Sequence, residues 1–267
     1  MTTNFELIED VPCRLGRPAV ASKSDELVCP VEDEEQLAAL CFSLLPPWAA
    51  LSQAEHALAR ATGDGAAVAS LRLYTVQNIR SGADPLGEWF TALRSSELRR
   101  TAGAVYTPNT ILDPMIDWLR AQGTPVRVVD PGAGSGRFVV AAGSAFPDAQ
   151  LIAVENDPLA ALVLRTNLHL HGMASRAEVV VADYREIELP AIKGVTAFVG
   201  NPPYVRAEQV GELKGYLAAT YPSTYHGTAD LYVYFYEQGL RLLRSGGRLS
   251  YIVTNKWLRA RQANASF

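Results

Sequence analysis

Five short apolar runs in the second half of the chain, interleaved with helical patterns, limit the possible folds more than any other feature. The runs are VRVVD (126–130), LIAVEN (151–156), AEVVVAD (177–183), VTAFVGN (195–201) and RLSYIVTN (248–255). They are rich in β-branched residues and too short for helices. Between them lie SGRFVVAAGSAF, DPLAALVLRTNLHLHG and two helical segments after the NPPY at 201–204. Near-continuous apolar strands that alternate with helices predict a parallel, doubly wound α/β sheet. Ligands on such sheets bind outside the carboxyl ends of the strands, where the strand order reverses. The unusual residues of this chain fall at those ends.

The region before the sheet divides in two. Residues 1–30 hold Pro12, Pro18 and Pro30 with little periodicity, which predicts an arm. Residues 31–102 form a helical lead-in, with stretches such as EEQLAALCFSLL and GAAVASLRLYTVQNI separated by PPW (46–48) and TGDG (62–65). The sheet domain is expected over 103–267. A hydrophobic content of 48% and a charged content of 19% suit an ordinary globular protein. No apolar run approaches the length of a membrane span, and the acidic MTTNFELIED lacks the apolar core of a secretory signal. The expectation is a cytoplasmic protein without membrane contact. Cys13, Cys29 and Cys41 are odd in number and widely spaced, so they predict neither disulfides nor a metal site. Charge is uneven, −6 over residues 1–60 and +2 over the rest, and neither favours nor excludes nucleic acid.

The first strand runs into DPGAGSGRF (130–138). Gly132, Ala133, Gly134 and Gly136 allow a tight turn, close approach of backbone to a ligand and a helix start with free N–H groups. By itself such a loop fits nicotinamide dehydrogenases and methyltransferases alike. Asp130 separates them: an anion opposes a pyrophosphate and favours a ligand carrying an amino group or sulfonium. The second strand ends in VENDP, where Glu155 can accept two ribose hydroxyls and Asn156 or Asp157 can cap the next helix. The third ends in ADYRE, where Asp183 and Tyr184 offer a hydrogen-bond acceptor and a flat face for an adenine; alone, the pair would also suit a surface turn. The fourth ends in NPPYVR. Asn201 offers an amide oxygen and Pro202 a carbonyl, two acceptors for the hydrogens of a planar primary amine. Pro202 and Pro203 fix φ, and Tyr204 supplies a stacking face.

Taken in order, YTP, DPGAGSGRF, VENDP, ADY and NPPYVR resemble S-adenosylmethionine-dependent adenine-N6 DNA methyltransferases of bacterial restriction–modification and phage-defence systems. The resemblance extends from PLGEWFTALRSSELRRTAGAVYTP through ADLYVYFYEQGLRLLRSGGRLSYIVTNKWLRA, about 180 residues from Pro85 to Ala260. It implies a Rossmann-like methyltransferase sheet. Tyr106, Thr107 and Pro108 would hold the methionine end of S-adenosylmethionine. Asp130 and the turn 132–136 would surround its amino-acid and ribose portions. Glu155 would take the ribose hydroxyls with Asn156 beside it, and Asp183 and Tyr184 the adenine. Asn201 and Pro202 would bind the amine of a flipped-out adenine in DNA, and Tyr204 would stack on that base. No metal is implied.

The family continues beyond its fifth strand with a closing hairpin and a target-recognition domain, whereas this sequence ends at NKWLRARQANASF. The expectation is therefore a fragment, or one half of an enzyme served by a separate target-recognition or restriction subunit. No carboxylate pair precedes an E-x-K, since Lys23 has Ala21 at the Glu position, which argues against a nuclease. Lys256, Arg259 and Arg261 suit phosphate contacts, or more simply a soluble last helix. The competing readings are a non-catalytic cofactor-binding subunit and a methyltransferase acting on RNA or on protein glutamine, which shares the NPPY.

Overall fold

The computed structural model describes residues 30–59, 66–95, 107–206 and 208–253. Strands β1 (Arg127–Pro131), β2 (Gln150–Glu155), β3 (Ala177–Val181), β4 (Thr196–Gly200) and β5 (Arg248–Tyr251) each begin within one residue of the apolar run read from sequence. They pair in parallel in the order β3-β2-β1-β4-β5. The order reverses between β1 and β4, so the carboxyl ends of these two strands flank the crevice. Every residue of β1 and β4 is buried, as central strands covered on both faces must be.

The two-residue period of the strands sorts the core. Val128, Leu151, Ala153, Ala197 and Val199 pack with Leu112, Ile116 and Leu119 of α5 (Asn109–Ala121) and with Phe138, Val139 and Ala142 of α6 (Arg137–Ala145). Val129, Ile152, Val154 and Phe198 face the other side. There they meet Leu217 of α8 (Lys214–Thr220) and Tyr234 and Phe235 of α9 (Tyr232–Leu242).

The lead-in helices are α1 (Glu34–Leu44), α2 (Gln53–Ala59), α3 (Ala66–Arg80) and α4 (Pro85–Leu93). They build no separate core. Leu37, Leu40, Ile79, Leu86, Trp89 and Phe90 share one apolar cluster with Leu159, Ala160, Leu162 and Val163 of α7 (Pro158–Leu170). The opposite side of α7 turns Leu164 and Leu168 into the sheet cluster. PLAALVLRTNLHL carries leucines on both sides because the helix is sandwiched.

A buried ion pair helps to fasten this layer. Glu55 is fully buried, and its two oxygens accept from Arg165 Nε at 2.9 Å and Nη2 at 3.0 Å. The same carboxylate accepts the Ser52 N–H at 2.7 Å while Ser52 Oγ accepts the Glu55 N–H at 3.2 Å, a reciprocal cap at the start of α2. Replacing Glu55 by Ala strands the Arg165 guanidinium and removes half of that cap. Urea unfolding of Glu55→Ala should show a loss of about 3 kcal/mol; a loss below about 1 kcal/mol would mean that water already screens the pair.

Candidate active site

β1 leads into a turn whose glycines Gly132, Gly134 and Gly136 have φ of +68°, +56° and +94°. A side chain is costly in that left-handed region. At Gly136 a Cβ would also lie 2.5 Å from Leu164 Cδ1. Gly136 is the N-cap of α6 and has no side chain with which to cap it. The cap comes from the strand below: Asp130 Oδ2 accepts the Val139 N–H, in the first turn of α6, at 3.0 Å, where the helix dipole favours an anion.

Asp130 is fully buried and does not line the cavity. Strand alternation puts it on the same face as Val128, under α6, rather than beside the ligand position suggested by its place in the sequence. Burial pushes its pKa well above the usual carboxylate range. The Val139 N–H opposes that shift, and the nearby Glu155 charge adds to it.

Glu155, the last residue of β2, stands on the cavity wall. Its Oε2 accepts the Gly134 N–H at 2.8 Å and its Oε1 the Asp157 N–H at 2.9 Å, which joins the turns that follow β1 and β2. Burial raises its pKa as well, against the pull of those two N–H groups. Asn156 is exposed on the rim, and Asp157 caps α7 by accepting from the N–H groups of Leu159 and Ala160. Beyond β3, Asp183 also lines the cavity, with Arg185 donating to it from its backbone N–H and its guanidinium. Burial works against ionisation of Asp183, but Arg185 outweighs it and holds the carboxyl below its usual pKa. Tyr184 is buried against Phe235, ring centroids 5.1 Å apart.

Asn201, just past β4, has its amide split between two situations. Nδ2 donates to Thr107 Oγ1 at 3.1 Å. Oδ1 is buried and has no hydrogen-bond partner. The residue lines a cavity of about 210 Å³ whose walls also include Thr107, Gly132, Ala133, Gly134, Glu155, Asn156, Asp183, Tyr184 and Pro203. An orphaned buried acceptor costs about 1–3 kcal/mol, and a ligand donor would relieve it. Pro108, Gly136 and Pro202 adjoin this wall without forming it. Tyr204 turns away: its hydroxyl donates to the Ile252 carbonyl at 3.0 Å and its ring lies 6.1 Å from that of Tyr232. Burial lifts the Tyr204 pKa to about 12, so the phenol is neutral.

The structure adds residues that sequence reading did not assign. Phe90, Thr91 and Arg94, from the end of α4, close one side of the cavity. Arg94 lies over the Phe90 ring at 4.4 Å and bridges Glu34, at 3.0 Å, to Asp157. The signal available was the start of the family resemblance at Pro85, well before the first strand. Tyr106, Lys256, Arg259 and Arg261 lie outside the described residues.

This architecture is the Rossmann-like fold of class I S-adenosylmethionine-dependent methyltransferases. A Listeria monocytogenes protein assigned to that class superposes with a TM-score of 0.58 at 16% identity, over 86% of this chain and 68% of that one. The methyltransferase subunit of a Streptococcus thermophilus type I restriction–modification system reaches a TM-score of 0.50 at 18% identity, over 74% of this chain and 45% of that one. In sequence the chain is similar to restriction–modification methylases. Residues 182–267 match the Eco57I restriction-modification methylase family. The type II methyltransferase M.XamI of Xanthomonas campestris pv. amaranthicola is 43% identical over 244 residues, 85% of this chain and 44% of the relative. The chain spans less than half the length of the curated relatives it matches.

The two raised carboxyls carry a pH signature. Above the unfolded pKa near 4 the folded protein still holds protons that the unfolded chain has released, so stability falls as pH rises towards the folded values. Asp130→Asn removes the larger of these liabilities while keeping an acceptor for the Val139 N–H. In urea unfolding at about pH 5 and about pH 8, the variant should gain on the native chain at the higher pH. A difference independent of pH would show that Asp130 titrates normally.

Proposed function

We propose that this chain carries the catalytic site of a DNA methyltransferase that modifies N6 of adenine with S-adenosylmethionine as cofactor. The observation that carries the reading is the Asn201 amide. Thr107 occupies its nitrogen, and its oxygen is left buried, unpartnered and within a residue that lines the cavity. A donor such as an N–H would satisfy that oxygen, and the carbonyl of Pro202, the next residue, would accept the other hydrogen of a primary amine. Held by both, the amine keeps its lone pair free to act as the nucleophile.

The cofactor fits the wall. Glu155, Asp157 and Asp183 border the cavity together with Arg94, Arg137 and Arg185, so the wall carries both signs, and its carboxylates suit the ribose hydroxyls and the cationic sulfonium and ammonium of S-adenosylmethionine. When bound, S-adenosylmethionine supplies an electrophilic methyl group on a positively charged sulfur. Glu155 would hold the ribose hydroxyls, Asp183 the adenine amine, and the turn 132–134 the backbone-facing side, with Thr107 at the methionine end. Asn201 and Pro202 orient the target amine and accept its hydrogens while it becomes positively charged; the excess proton then passes to solvent. The adenine must leave the duplex to reach Asn201, at a cost of a few kcal/mol. Tyr204 would stack on it after its ring leaves Tyr232. A separate target-recognition or restriction subunit is a natural partner for such a site.

The test supplies methyl-labelled S-adenosylmethionine with pools of DNA, RNA and protein, followed by nucleoside and peptide analysis. Label should appear as N6-methyladenine in DNA. Asn201→Ala should lower transfer by about a hundredfold or more while changing cofactor affinity only a few-fold. Label in RNA, in cytosine or in glutamine would sink the reading, as would an Asn201→Ala variant of native rate.

A further inference from the structure

The glycine turn is held from outside the sheet. Asp84, the residue before α4, is largely buried. Its Oδ1 accepts the Gly87 N–H at 3.0 Å and Asn167 Nδ2 at 2.9 Å, and its Oδ2 accepts Ser135 Oγ at 2.8 Å. Asn167 Nδ2 also donates to the Ser135 carbonyl at 2.9 Å. Both the side chain and the backbone of Ser135 are thereby tied to one carboxylate and its partner amide. Ser135 directly follows Gly134, whose N–H reaches Glu155. The approach is close: a Cβ at Gly87 would lie 2.5 Å from Ser135 Oγ and 2.2 Å from Asp84 Oδ2. Glycine at 87 is what lets the first turn of α4 sit against the loop.

From this arrangement we infer that α4 is a working part of the cofactor site and that Asp84 is a positioning residue, which fixes the turn 134–136 and through it the Gly134–Glu155 contact. Two independent features agree. Asp84 donates nothing and is surrounded by donors, so its contacts define one orientation of the turn. The far end of the same helix supplies Phe90, Thr91 and Arg94 to the cavity wall, so a shift of α4 would move the wall and the turn together. The consequence for S-adenosylmethionine rests on the function proposed above; the clamp itself does not.

Capping α4 is the ordinary task of an aspartate at this position, and Asp84→Ser separates the two roles. Serine still caps the Gly87 N–H but is too short to hold Ser135 and Asn167. Calorimetric titration of the 267-residue chain with S-adenosylmethionine should show about tenfold weaker binding for Asp84→Ser and for Ser135→Ala. The double variant should be little worse than Asp84→Ser alone, because that change has already removed the Asp84–Ser135 contact. Hydrogen exchange of the amides at 134–136 should quicken in both, with β1 and α7 protected as before. Exposed Glu88, on the same helix, serves as control: Glu88→Gln should change neither readout. Native affinity in both single variants, losses that multiply in the double variant, or unaltered exchange at the turn would each overturn the clamp. A native chain that binds no S-adenosylmethionine would sink the functional reading, and the exchange measurement would then decide the clamp by itself.

Discussion

The contact on which most of this structure depends is the buried hydrogen bond from the Val139 N–H to Asp130. A glycine N-cap leaves the start of α6 without a side-chain acceptor, and an uncompensated helix start in a dry core is expensive. The strand supplies the missing oxygen. In doing so it fixes the angle at which β1 hands over to α6, and hence where the backbone of the intervening turn points. The same carboxylate abuts the end of β4, where a Cβ on Gly200 would stand 2.8 Å from its Oδ1. One side chain therefore spaces the two strand ends that bound the crevice.

The acids around the cavity show how a fold tolerates several negative groups in a small volume. Asp130 is opposed by a helix start, Glu155 by two backbone N–H groups, Asp157 by the N-terminus of α7 and by Arg94, and Asp183 by Arg185. These solutions are not equivalent. Dipoles and amides leave Asp130 and Glu155 with raised pKa values, whereas a guanidinium lowers that of Asp183. Each pairing spares the site the full cost of burying a bare charge.

Much of the fold was legible because central parallel strands must be largely apolar on both sides, as the VV of β1, the LIAV of β2 and the AFV of β4 are. The convergence of Thr107, Glu155, Asp183 and Asn201 on one cavity was legible for a related reason, since strand ends in a doubly wound sheet meet whatever their spacing in the chain. Asp130 was placed too near the ligand, because proximity in sequence to a glycine turn says nothing about which face a side chain takes; the two-residue alternation from Val128 would have shown it. Arg185 was unassigned because its pairing with Asp183 needs the tight 3-10 turn at Tyr184–Glu186. Asp84 was beyond reach, and the resemblance that starts at Pro85 hinted at α4 without showing its place. An amphipathic helix announces that it packs, and only the fold shows against what.

The sandwiching of α7 has a bearing on synthesis. Leu37, Leu40, Ile79 and Leu86 of the lead-in find their partners at Leu159, Leu162 and Val163, far along the chain. As the polypeptide leaves the ribosome, the early helices emerge with their apolar faces bare and must wait for α7 to be made. Chains that leave such surface exposed are open to aggregation in that interval. The lead-in is thus made before the helix that covers it, and its packing waits on residues about a hundred positions further along the chain.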